Sequence, residues 1–261
     1  MTHTHTHTHT HTPQELGQIK IGFLSTIDSP LLPFFIAAAR SYGVSDITVL
    51  CDSKVSSEKD KKIWMDRTGG AFSRVDSGNA NIYAFARERI PFYFVDSHNS
   101  DDCLALIKVL DLKCLFNAGT PRKLSSRLIE TMPNGILNVH PGLLPQYRGC
   151  SAVEWAIYND DKIGNTAHFM SEGYDTGPIV HSEWYEFPKD ADYQSIRVRV
   201  YRDGCILAGK VLSLIQKDKL QPQDAIPQSE TNARYWDPIP DDKMETVLNK
   251  IKASAYQYQN L

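Results

Sequence analysis

Three side chains in the sequence have the chemistry of acyl transfer: Asn138, His140 and Asp175. Asn138-Val139-His140-Pro141 closes a run that begins at Ile136 and reads as a strand ending in polar residues. Side chains alternate along a strand, so Asn138 and His140 share a face. An amide can hydrogen-bond a developing oxyanion, and an imidazole can move a proton near neutral pH. Acyl transfer to an amine needs both. On these residues alone, a polar strand end with one Asn and one His is as readily structural. Asp175 follows downstream in Glu172-Gly173-Tyr174-Asp175-Thr176-Gly177. A carboxylate beside an imidazole favours the protonated ring and fixes its orientation. The same Asp-Thr-Gly is also ordinary turn chemistry.

Composition narrows what such a site can belong to. The 261 residues are enough for one large α/β domain, or one domain with a small appendage. With 41% hydrophobic and 23% charged residues, the chain has the make-up of a soluble globular protein. A net charge of -3 gives no electrostatic footprint for nucleic acid. No apolar run approaches the roughly 20 residues of a membrane helix. Met1 to Thr12 alternates Thr and His and reads as a purification tag, which holds five of the nine histidines. His98, His140, His168 and His181 remain. No metal-ligand spacing occurs outside that tract, so no metal is expected. The five cysteines form no CxxC pair, and reduced thiols in a cytoplasmic protein are expected.

The surrounding segments read as elements able to position the three side chains. Strands are expected at Ile19–Leu24, Ile47–Leu50, Phe92–Val95, Cys114–Asn117 and Ile136–His140. Helices are expected at Leu31–Tyr42, Ser57–Arg67, Asn81–Arg89 and from Asp101 through Leu110. Further along, Ala152–Tyr158 reads as a short helix, Asn165–Met170 and Ile179–Phe187 as strands around a turn, and Tyr193–Gln216 as a long helix. Alternation of this kind implies an α/β fold with an open, twisted, mainly parallel sheet flanked by helices. Its crevice lies beyond the carboxyl ends of the strands, at the loops after Leu24, Asn117 and His140. The first of those loops, Ser25 to Pro30, has no glycine, so a dinucleotide site is not expected there. The expected division is a tag and leader over 1–17, a catalytic domain over 18–218 and a C-terminal appendage over 219–261. The appendage holds an amphipathic segment, Lys243–Lys252, and is too small for its own core. It is expected to pack on the main domain or on a partner subunit, and a homodimer is left open.

Taken together, GILNVHPGLLPQYRG and GNTAHFMSEGYDTGPIV resemble the folate-dependent formyltransferase family, with its Rossmann-like fold. That family includes glycinamide ribonucleotide transformylase, methionyl-tRNA formyltransferase and sugar N-formyltransferases. An Asn-x-His-Pro strand end, a Leu-Leu-Pro loop and a downstream Asp-x-Gly turn occur in the family's order. NAGTPRKLS, from Asn117 to Ser125, resembles the segment that lines its pteridine pocket. The resemblance implies N10-formyltetrahydrofolate as co-substrate and Asn138, His140 and Asp175 as catalytic residues. It also implies a pteridine site against Arg122, Lys123 and Leu124 and against the loop of Glu172 and Tyr174. Lys123 stands where the family often has an apolar residue. His168 is expected to be a structural strand histidine.

The acceptor amine is reached by elimination. The family's ribonucleotide enzyme has a glycine-rich phosphate turn after its first strand, and this chain has Ser25 to Pro33. Its tRNA enzyme has a further C-terminal barrel and a basic surface. A nucleotide-linked amino sugar is therefore expected, with Tyr147 and Arg148 as its contacts. Tyr147, Trp155, Tyr158, Trp184, Tyr235 and Trp236 could stack on a base or could equally be core. A ribonucleotide-type or other small-amine acceptor, a formyltetrahydrofolate hydrolase and a non-catalytic folate-binding regulatory module are the alternatives.

Overall fold

The computed structural model describes residues 18–72 and 85–261. The expected tag over 1–17 lies outside them, as does the first part of the helix expected at Asn81–Arg89; residues 85–88 are helical. Strands β1 (Ile21–Thr26), β2 (Ile47–Asp52), β3 (Phe92–Val95), β4 (Cys114–Asn117) and β5 (Ile136–His140) are mutually parallel. β7 (Ile163–Phe169) and β8 (Ile179–Tyr185) continue the sheet antiparallel, giving the order β3-β2-β1-β4-β5-β7-β8. The chain crosses over between β1 and β4, so a crevice opens at the carboxyl ends of these two strands.

Both faces of β1, β2 and β4 are buried, which explains their near-continuous apolar sequences, while the edge strand β3 leaves Tyr93 and Phe94 exposed. Phe23, Val49, Cys51 and Phe116 pack toward α1 (Leu32–Ser41) and α6 (Tyr193–Gln216). Leu24, Leu50 and Leu115 pack toward α3 (Asp101–Val109) and α4 (Ser126–Thr131). On β5 the same alternation puts Leu137 with the first layer and Ile136 with the second, so Asn138 and His140 share the second face. α2 (Glu58–Thr68) begins at a capping box between Ser57 and Asp60 and stops at Gly69 in a left-handed conformation.

A further layer sits beyond β7, built on α5 (Ala152–Tyr158). α7 (Asp241–Lys252) lays Val247 and Ile251 against the α5 residues Trp155 and Ile157, together with Trp236 and Tyr256. The C-terminal segment also forms β9 (Tyr235–Trp236), which pairs in parallel with β6 (Arg148–Gly149). Neither this two-stranded pair nor α4 was expected from the sequence, since pieces this short have no periodicity to read. Among the described residues, no helix is long and apolar enough to cross a membrane.

One buried ionic cluster ties three helices together. Glu154 on α5 is 1% exposed, and its Oε1 lies 3.7 Å from Arg67 Nε on α2 and 3.6 Å from Arg197 Nε on α6. It also accepts the Tyr193 hydroxyl. Burial pushes the carboxyl pKa up, but the two guanidiniums and the hydroxyl outweigh it and hold the group below its ordinary value. Removing Glu154 leaves the Arg197 guanidinium, 3% exposed, charged and without its partner, which costs about 3–5 kcal/mol. Glu154→Ala should lose about that much stability in urea unfolding at pH 7, and a loss under 1 kcal/mol would refute this account.

Candidate functional site

The site is assembled at the crevice from the ends of β4 and β5, the turn after β7 and the loop after β5. Asn117, the last residue of β4, shapes the first wall. Its Oδ1 accepts the N–H groups of Gly119 (3.1 Å) and Thr120 (2.9 Å). Asn99 then holds the Lys123 carbonyl (2.9 Å) and the Ser125 N–H (2.8 Å). Arg122 is anchored by its Nε to buried Asp52 (2.8 Å), with a second contact to the Asp96 carbonyl. Burial raises the Asp52 pKa, but Arg122 and the N–H groups of Lys54 and His98 reverse that and hold it below the usual range. Leu124 is 3% exposed and belongs to the core under α4.

Asn138 is held from both sides. Its Oδ1 accepts from Asn117 Nδ2 (3.0 Å), and its Nδ2 lies 3.0 Å from His168 Nε2. His168 Nδ1 lies 3.0 Å from the Phe169 carbonyl, which can only accept. The proton of a neutral His168 is therefore assigned to Nδ1, leaving Nε2 to accept from the Asn138 amide. Burial drives the His168 pKa down to about 4, against the opposing pull of Asp175, so the ring is neutral near pH 7. One Asn138 N–H is thus engaged, and the second is available to the crevice.

His140 is 5% exposed, and its Nε2 lies 2.6 Å from the Tyr147 carbonyl, which assigns the Nε2 proton. The other ring nitrogen, Nδ1, faces Asp175 Oδ2 at 3.4 Å. The same Oδ2 accepts the Gly149 N–H (2.9 Å), and Asp175 Oδ1 is 3.7 Å from His168 Nε2. Asp175 takes φ 55°, the left-handed region that Asp tolerates better than most residues. Two glycines permit these approaches. A Cβ on Gly142 would stand 2.8 Å from His140 Nε2, and one on Gly177 would stand 1.8 Å from the Phe169 carbonyl oxygen. Thr166 on β7 fixes the loop after β5 by donating to Gly142 O (2.8 Å) and accepting from Leu144 N (3.1 Å).

Two cavities meet at this network. The smaller, about 330 Å³, lies between residues 120–124 and residues 170–175, with Asn138 and His168 in its wall. Arg122, Lys123, Leu124, Glu172 and Tyr174 all line it. Lys123 Nζ sits 5.2 Å from the Tyr174 ring centroid, linking the two walls. The larger, about 980 Å³, spreads from the loop after β1 toward α2 and α6. Asn117, Thr120 and Asn138 border both.

A formyl transferase family model matches residues 88–208, the stretch that carries Asn117, Asn138, His140, His168 and Asp175. That stretch of the chain is similar to the formyl transferase family. A curated relative, methionyl-tRNA formyltransferase of Trichlorobacter lovleyi, is 29% identical over 138 residues, covering 52% of this chain and 44% of that one. The match thus spans less than half of that relative's length. Among solved structures, glycinamide ribonucleotide transformylase 1 of Symbiobacterium toebii superimposes with a TM-score of 0.60 at 19% identity, covering 81% of this chain and 93% of that one. An N-formyltransferase of Helicobacter canadensis, solved with folinic acid and dTDP-3-aminofucose, gives 0.57 at 16% identity, covering 84% and 70%. Formyltransferases of different substrates thus share this mixed sheet.

Other expected residues fall elsewhere. The Tyr147 ring is 4% exposed, stacks on Trp236 and donates its hydroxyl to Asp161. The Arg148 guanidinium is taken by Gln228 (3.0 Å) and Glu230 (3.0 Å). Both side chains are thus turned from the crevice by packing with the C-terminal segment, and what the loop gives the site is backbone: Tyr147 O and Gly149 N. Trp155 and Trp236 are likewise core. The aromatics bordering the larger cavity are Phe35, Trp64, Phe72 and Tyr201, which sequence reasoning missed. His168, expected to be a structural strand histidine, is buried on β7 and holds the Asn138 amide. His98 is buried, with Nε2 on Leu50 O and Nδ1 on Thr120 Oγ1, and burial lowers its pKa.

The depressed His168 value has a measurable consequence. An unfolded chain takes up this proton near pH 6.5, while the folded chain resists until about 4. The contribution is therefore complete above pH 6.5, declines as pH falls, and levels off below about 4. Between pH 7 and 5 the wild type should lose more urea stability than His168→Gln, and equal losses would contradict a neutral buried ring.

Proposed function

We propose that the chain transfers a formyl group from N10-formyltetrahydrofolate to the amine of a small molecule. The observation that carries this reading is the meeting of two cavities at Asn138, one for a donor and one for an acceptor. The smaller is within the usual range for ligand sites and has the pteridine-pocket segment as one wall. The bound folate supplies the activated formyl carbon, and the chain's own groups do the rest. The free Asn138 N–H faces the carbonyl oxygen as the amine adds and charge develops there. His140 moves the proton through Nδ1, since Nε2–H is committed to Tyr147 O. Asp175 orients that ring and stabilises its charged form. The acceptor nitrogen gains a bond to the formyl carbon, the folate nitrogen loses one, and a proton passes from the first nitrogen to the second.

The finer reading is an amino sugar linked to a nucleotide. The Helicobacter canadensis neighbour, solved with dTDP-3-aminofucose, favours it, as do the Trp64, Phe72 and Tyr201 rings at the larger cavity, which suit a planar base. A glycinamide ribonucleotide is less suited. Pro30 and Pro33 take two N–H donors from the turn where that family branch binds phosphate. We assign residues 18–218 as the catalytic domain, with 219–261 completing it, and place the enzyme in the cytoplasm.

Removing one oxyanion donor costs about 10²–10³ in rate. Asn138→Ala should lose that much turnover with N10-formyltetrahydrofolate and a panel of amino-sugar nucleotides, while donor affinity stays within about threefold. Near-wild-type turnover would defeat the assignment. Folate release equally fast without any amine would identify a hydrolase.

A further inference from the structure

The turn that aims the Asp175 carboxylate at His140 is closed by Phe169 N on Pro178 O (3.0 Å) and by the Ser171 and Thr176 hydroxyls (2.7 Å). A further hold on it comes from the other end of the chain. Gln228 donates both hydrogens of its side-chain amide, to Asp175 O (2.8 Å) and to Gly177 O (2.7 Å). Its Oε1 accepts from Arg148 Nε (3.0 Å), so the orientation of the amide is fixed and both of its N–H donors are used. Just before it, Ile226 exchanges backbone hydrogen bonds of 2.8 and 2.7 Å with Ile179, at the start of β8. Just after it, β9 pairs with β6, and Arg234 N donates to Pro145 O (3.1 Å). The segment from Ile226 to Trp236 therefore runs between the two loops that meet at the catalytic pair. One is the loop of Tyr147 and Gly149, the other the turn of Asp175.

We infer that Gln228 is a positioning residue: its amide, held by Arg148, clamps the carbonyls of Asp175 and Gly177 and keeps the Asp175 carboxylate between the Gly149 N–H and His140. Three features favour this over a purely structural contact. The clamp grips Asp175 itself, at a residue in the left-handed region where the backbone needs support. Arg148 reaches Gln228 from the residue adjacent to Gly149, so both ends of the Gly149–Asp175 bond are tied to one amide. Gln228 also lies beyond residue 208, where the family model match ends, so the support is supplied by the C-terminal segment of this chain.

The inference rests on the formyl-transfer reading for its catalytic part and on geometry alone for its structural part. Gln228→Met keeps the volume and removes both donors. Exchange of the Gly149 amide hydrogen should then rise by about tenfold or more. Turnover should fall by about tenfold or more, with the donor KM changed less than threefold and the thermal midpoint close to wild type. Because Gln228 acts through Asp175, adding Gln228→Met to Asp175→Asn should lower turnover less than twofold further. Gln228→Glu, which sets a carboxylate against two carbonyls, should be more damaging than Gln228→Met. Unchanged Gly149 exchange, or losses that multiply in the double variant, would overturn the inference. Faster exchange with wild-type turnover in both single variants would overturn the formyl-transfer role of Asp175 and the catalytic part of the inference with it.

Discussion

The amide of Asn138 has one orientation because its two neighbours permit no other. Asn117 Nδ2 donates to its oxygen, and His168 Nε2 accepts from its nitrogen. That second contact exists only while His168 is neutral with its proton on Nδ1, which burial and the Phe169 carbonyl enforce. A rotated amide would put oxygen against a nitrogen lone pair and a donor against a donor. The site is therefore ready before any ligand arrives, and little reorganisation is left for the reacting state. β4, β5 and β7 each contribute one member of this chain of contacts, so the order of strands in the sheet is what makes it possible.

Much of the frame was legible in the sequence because its physics is local. Doubly buried parallel strands write themselves as continuous apolar runs, and Phe23, Leu50 and Phe116 lie in such runs. Ser57, Ser100 and Asp192 sit before their helices as capping residues. The shared face of Asn138 and His140 follows from strand alternation and holds in the structure. The arrival of Asp175 beside them is a tertiary fact that only the family resemblance anticipated.

What was not legible depends on register and on long-range packing. His168 stands directly across from Asn138 in the β5–β7 pairing, and nothing in either segment specifies that alignment. Tyr147 and Arg148 were expected as acceptor contacts. Their side chains are instead drawn away by Trp236, Gln228 and Glu230, about 80–90 residues later in the chain. The aromatics that border the larger cavity belong to α1, α2 and α6 or lie just past α2, and their helical patterns read as ordinary core. The C-terminal segment, expected to pack on the main domain or on a partner subunit, sets Gln228 against the backbone of Asp175 and Gly177, a contact nothing local announces.

The cysteines show how unevenly this architecture exposes its chemistry. Cys51, Cys103, Cys114 and Cys205 are buried, and burial pushes their thiols up to about 11 or 12. Cys150 is exposed, next to the residue whose N–H holds Asp175. A thiol-directed fluorophore or spin label should attach there in preference to the other four. The native chain thus offers a single reporter position beside the crevice, with no engineered cysteine needed to follow ligand arrival by spectroscopy.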